Sequence, residues 1–100
     1  MPAKLILTWD ILPGHEQEYF EFVVREFIPG VQKLGFNLTD AWATVFGRQP
    51  QIMVGAVSEN RQRLDDLLQT SEWAALQVKL AGLIENYQQK IVIAKDGFQF

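Results

Sequence analysis

Every segment of this chain that reads as a β-strand carries hydrophobic side chains on both of its faces. That constrains the fold more than any other feature. Successive side chains of a strand point to opposite sides, so a sheet with one covered face should alternate apolar and polar residues. Residues 4–12 do not: Leu5, Leu7, Trp9 and Ile11 face one way, and Ile6, Thr8 and Leu12 the other. In 36–47, Phe36, Leu38, Trp42 and Phe46 oppose Ala41, Ala43 and Val45. In 51–58, Ile52, Val54 and Ala56 oppose Met53 and Val57, and in the last predicted strand, 88–95, Ile91 and Ile93 oppose Val92 and Ala94. Both faces therefore need cover.

The rest of the pattern is helical. After Pro13-Gly14 stops the first strand, Tyr19, Phe20, Val23, Val24, Phe27, Ile28, Val31 and Leu34 recur at steps of three and four residues. Pro29-Gly30 predicts a kink or break near Phe27, and Gly35 is placed to close the helix. Arg48-Gln49-Pro50 reads as the turn of an antiparallel hairpin. Asn60 caps a short helix bearing Leu64, Leu67 and Leu68, and Thr70 or Ser71 caps a second. That second helix turns Trp73, Leu76, Leu80, Leu83, Ile84 and Tyr87 inward. The order is βαββααβ, the split βαβ plan of the ferredoxin-like α+β fold: a four-stranded antiparallel sheet with all helices on one face.

One helical layer leaves the other face bare. Hiding about 600–800 Å² of it per subunit would contribute on the order of 15–20 kcal/mol before the cost of association. The expected solution is a sheet-to-sheet homodimer, since a two-fold presents the patch to its own copy. The alternatives are a different protein partner, or a monomer whose tail, ending in Phe98 and Phe100, lies over the sheet.

A family resemblance rests on two stretches. Ile11-Leu12-Pro13-Gly14-His15-Glu16-Gln17-Glu18-Tyr19-Phe20 resembles the opening of dimeric α+β barrel proteins. Thr70-Ser71-Glu72-Trp73-Ala74-Ala75-Leu76, with Leu83-Ile84-Glu85-Asn86-Tyr87 after it, resembles their final helix, especially in NIPSNAP-like members. The resemblance implies the fold and the dimer for a single domain over 1–100. The superfamily spans cofactor-independent antibiotic-biosynthesis monooxygenases, haem-degrading enzymes, isomerases and effector-binding modules, so it implies no one reaction.

Composition narrows the function classes. The 100 residues carry a net charge of −3 and no basic patch, which argues against nucleic acid as a partner. No apolar run is long enough for a membrane span. The chain has no cysteine, which excludes disulfides and thiolate metal sites and fits a cytoplasmic location. A single histidine, His15, rules out a multi-histidine metal site, and the last helix lacks the axial histidine that haem-degrading relatives use. Asp65-Asp66 read as a solvated helix face rather than a metal site. No metal or cofactor is expected.

What remains is aromatic. Trp9, Trp42, Tyr19 and Tyr87, with Phe22, either form core or surround a flat organic ligand between sheet and helices, with Thr44, Thr8, Asp10 and Asp40 to orient it. Asp40, between Leu38 and Trp42, is the candidate general base if buried; His15, at a helix start, is the second candidate, its plainer reading being a solvated side chain. The leading expectation is a homodimeric barrel that binds a small, partly aromatic molecule. Next come an enzyme resembling the cofactor-independent monooxygenases, and a non-catalytic effector-binding module.

Overall fold

A computed structural model of the chain describes residues 2–43 and 52–93, with the side chains of 2–36 and 52–93. The elements follow the order β1 (Ala3–Ile11), α1 (Glu16–Phe22), a π-helical turn (Val23–Phe27), α2 (Ile28–Lys33), β2 (Asn37–Ala43), β3 (Ile52–Ser58), α3 (Arg61–Leu68), α4 (Ser71–Ala81) and β4 (Ile84–Ile93). The strands hydrogen-bond in the order β2-β3-β1-β4, every neighbouring pair antiparallel. Inserting β3 between β1 and β2 is the split βαβ arrangement. The turn predicted at Arg48-Gln49-Pro50 and the tail with Phe98 and Phe100 lie outside the described residues.

The register sorts the side chains into two faces. Leu5 pairs with Ala56, Leu7 with Val54 and Trp9 with Ile52. Ala3, Leu5, Leu7, Trp9 and Ala56 join one buried cluster with Tyr19, Phe22, Phe27, Val31, Leu64, Trp73 and Leu80 of the helices. The alternate positions, Ile6, Thr8, Met53, Val57 and Val92, stand outside that cluster. Among the described residues, the large apolar side chains most open to solvent are Phe20, Val24 and Val78 of the helices and Ile93, not the far-face positions. Ile6 is only 8 % exposed, and Met53, Val57 and Val92 are half-buried. No described helix is long and apolar enough to cross a membrane.

The caps form as the sequence predicts. Asn60 Oδ1 accepts the Arg63 N–H at 2.8 Å, and Thr70 Oγ1 accepts the Trp73 N–H at 3.2 Å. Gly35, at φ +98°, closes α2 as a Schellman motif: its N–H bonds the Gln32 carbonyl at 3.1 Å and the Phe36 N–H bonds the Val31 carbonyl at 3.3 Å. The hydrophobic contact such motifs favour is available here, since Val31 and Phe36 are both core residues.

The helix before it corrects the expected pattern. Instead of kinking sharply, the chain widens into the π-helical turn, where the Ile28 N–H reaches back five residues to the Val23 carbonyl. Pro29 follows at once in the continuous helix, and the widened turn before it accommodates a residue with no N–H to donate. The extra residue also turns the helix surface. Phe22 and Phe27, five apart, both reach the core, while Phe20 and Val24, expected inward, point to solvent.

The second correction concerns the last strand. α4 ends at Ala81 with Gly82 as its C-cap, and β4 begins at Ile84, four residues earlier than predicted. The Leu83 carbonyl accepts the Leu12 N–H at 3.0 Å, which extends the β1–β4 ladder toward the helix end. Ile84 and Tyr87 do face the core, but from a strand. Between the pairs Thr8–Gln88 and Asp10–Glu85 the register shifts, so Asn86 and Tyr87 oppose Trp9 alone. This is a β-bulge, and Asn86 carries it at φ +57°. The bulge changes the alternation of β4, so residues three apart share a face as they would on a helix.

Candidate functional site

Three of the predicted aromatic residues meet. Trp9, 1 % exposed, receives the edges of Tyr19 and Phe27 at centroid distances of 6.5 and 5.9 Å, and stacks on Tyr87 at 6.3 Å with 16° between the planes. Its indole N–H donates to the Tyr19 hydroxyl at 2.8 Å. These rings contact one another instead of surrounding a space. The contacts continue from Phe27 to Trp73 and from Trp73 to Phe36, so an aromatic row from Tyr87 to Phe36 fills the sheet–helix layer. Trp9 has thus spent its polar atom on the core.

Phe22 joins this group through Phe27, whereas His15, Asp40, Trp42 and Thr44 are not seen to join it in the described structure. His15 is the N-cap of α1; its side chain is 42 % exposed, but Nδ1 is itself buried, 3.6 Å from Glu18 Oε1 and without a hydrogen bond. The backbones of Asp40 and Trp42 pair with Gly55 and Met53, while their side chains lie outside the described ones, as does Thr44. Phe22 packs on Phe27 in the core. Among the described residues, no group of three or more His, Cys, Asp or Glu is arranged to hold a metal ion.

The outer side of the Trp9–Tyr87 stack is different. Where α4 gives way to β4, a cleft of about 290 Å³ is lined by Gln77, Leu80, Ala81, Ile84, Glu85, Asn86 and Tyr87. Leu80 and Ile84 make an apolar floor that is part of the core cluster. Asn86 Nδ2 donates to Asp10 Oδ2 at 2.8 Å, which holds the bulge in place and partners a carboxylate that is 1 % exposed. The Tyr87 hydroxyl donates to Gln89 Oε1 at 3.0 Å. The Gln77 side chain lies beside that hydroxyl without reaching hydrogen-bond geometry, so its buried Nε2 has no protein partner. Sequence reasoning found Tyr87 but missed Gln77 and Glu85, which carry no motif.

Burial pushes the Tyr87 phenol up to about 12, against a smaller opposing effect of the Gln77 amide. It raises Tyr19 too, against the hydrogen bond from Trp9. These are the only two tyrosines in the chain. A spectrophotometric titration of the native protein is therefore expected to show no phenolate step near pH 10. Unfolded tyrosines ionise first, so the stability contribution present below about pH 10 is lost as pH rises toward 12. A full two-tyrosine step centred at pH 10, with the fold intact by circular dichroism, would contradict this burial.

No family model matches the chain, and no curated protein does so either. Solved structures do. A NIPSNAP family protein from Agrobacterium tumefaciens superposes with a TM-score of 0.71 at 25 % identity, covering 96 % of this chain and 95 % of that one. An uncharacterized NIPSNAP domain protein from Burkholderia xenovorans gives 0.70 at 12 % identity over 100 % of both chains. An EthD family protein from Bacillus halodurans gives 0.68 at 19 % identity, covering 95 % of this chain and 100 % of that one. The class this fold defines is the NIPSNAP-like α+β barrel superfamily. Within that class the chain's own activity is unassigned, because a shared fold fixes no chemistry.

Proposed function

We propose that the protein is a homodimeric α+β barrel that binds a small, single-ring aromatic molecule in the cleft between α4 and β4, against Tyr87. The observation that carries this reading is the composition of that cleft: the apolar Leu80 and Ile84, the aromatic side chain of Tyr87, and a few polar residues, Gln77, Glu85 and Asn86. Small-molecule sites are built in this way, mostly apolar with few polar groups that orient the ligand. Its volume of about 290 Å³ suits one ring, since an apolar cavity of about 150 Å³ is enough to hold benzene. Stacking on Trp9 fixes the Tyr87 ring, so little side-chain freedom is lost on binding.

A panel of single-ring aromatic alcohols, amines and acids is expected to contain binders that raise the melting temperature, as ligands of the folded state do. Ala81 is exposed at the end of α4, so Ala81→Trp should fill the cleft without disturbing the core and abolish that shift. A shift that survives Ala81→Trp, or none from any member of the panel, would remove the cleft from consideration.

The dimer rests on the far face of the sheet, where Ile6, Met53, Val57 and Val92 stand outside the helix-covered cluster. Its expected signature is a sedimenting species of twice 11.5 kDa at micromolar concentration. A single 11.5 kDa species would refute it.

A further inference from the structure

We propose that the far face of the sheet is complementary in charge to its own copy and admits that copy in one orientation, with Lys90 of each protomer against the partner subunit's Glu85. This rests on the reading of that face as the dimer interface and fixes how the two copies meet. Residues directly opposite on paired strands share a face, so the β1–β4 register places the side chains. Ile6 lies opposite Lys90, Thr8 opposite Gln88, and Asp10, two residues on, opposite Glu85. Ile6 and Thr8 belong to the far face, so Lys90, Gln88 and Glu85 do too, turned away from the helices. All three are exposed, whereas Ile6 beside them is buried. β4 is an edge strand, so these residues make a polar border beside the apolar Ile6, Met53, Val57 and Val92. Interfaces are built with such a border around an apolar centre.

The border carries opposite charges at its two ends. No ion pair among the described residues engages Glu85 or Lys90. Asp10 is bonded to Asn86 within the chain, so Glu85 is the carboxylate that this end presents outward. The two charges stand at equal distances, roughly 7 Å, on either side of the Thr8–Gln88 pair. A two-fold axis over that pair, parallel to the sheet and perpendicular to the strands, lays β4 antiparallel over the partner's β4. Gln88 then meets its own copy, and an amide both donates to and accepts from another amide. Lys90 meets the partner subunit's Glu85, and symmetry makes the contact twice. A two-fold along the strands would put the acidic end of one sheet over the acidic end of the other, which like charges disfavour.

The experiment is a charge swap. Lys90→Glu leaves two acids in the border, and Glu85→Lys leaves two lysines. In either homodimer both ion pairs become like-charge contacts, which should weaken self-association about tenfold. Mixed together, the two variants regain both pairs. The chain has no cysteine, so one added at the N-terminus takes a single dye, a donor on one variant and an acceptor on the other. Energy transfer should then show heterodimers rising from the random half of all dimers to about nine-tenths. Both positions are exposed, so the variants should fold, which their melting temperatures check. The two substitutions combined in one chain should restore native self-association. A native dimer whose swapped variants mix at random would overturn this orientation and leave the dimer standing. A native protein that sediments as a single 11.5 kDa species would overturn the dimer itself, leaving the face to another protein or to the chain's own tail.

Discussion

Trp9→Ala is expected to lower the stability of the folded protein by about 3–5 kcal/mol, the range for removing a buried aromatic side chain. Domains of this size have about 5–15 kcal/mol in total, so the variant should sit near the limit of folding, with a melting temperature lower by some tens of degrees. Trp9 is central to the aromatic core: Tyr19, Phe27 and Tyr87 all pack on its ring, and its N–H is bonded to the Tyr19 hydroxyl. Trp9→Phe separates these contributions. It keeps an aromatic ring for the stack but leaves Tyr19 without its donor, which should cost about 1 kcal/mol for the hydrogen bond together with the loss of packed volume. Urea titration reads both variants, through a lower midpoint at unchanged slope. A loss below about 1 kcal/mol for Trp9→Ala would mean that these rings are not holding the two layers together.

Features set by one or two residues in sequence were readable before the structure. Asn60 and Thr70 cap helices because short polar side chains bond the free N–H groups of a first turn, and Gly35 ends one because it accepts a positive φ. What failed was the reading of period. Ile84 and Tyr87 are three apart, which matches a helix, but they share a face because a bulge lies between them. Phe22 and Phe27 are five apart, a step that neither α-helix nor plain strand allows, and the π-helical turn brings them to one core. In both places one inserted residue breaks the regular repeat, and uniform periodicity cannot reveal it. The candidate site followed the same pattern. Trp9, Tyr19 and Tyr87 are legible as large aromatics of the sheet–helix layer, where they pack on one another, whereas the cleft behind Tyr87 arises from the early start of β4, which a helical reading of 84–87 conceals.

The strand that makes the cleft depends on Asn86, and its replacement should have the second large effect. Asn86→Ala removes a hydrogen bond to the buried Asp10 carboxylate, worth about 1.5–3 kcal/mol, and places alanine at positive φ, which costs roughly 1–2 kcal/mol more. Asn86→Gly accepts the backbone angle but not the hydrogen bond, so it should fall between alanine and the native residue. That ranking distinguishes the two contributions: if glycine matches asparagine, the bond to Asp10 contributes nothing, and if glycine matches alanine, the backbone angle is not what selects asparagine. Denaturant midpoints give the order. The consequence extends beyond stability, because without the bulge β4 would alternate regularly and could not turn both Ile84 and Tyr87 toward the helices. A variant that loses the bulge should therefore lose the Trp9–Tyr87 stack and aromatic-ligand binding together. Near-ultraviolet circular dichroism, which reports packed aromatic rings, should fall in step with the thermal shift.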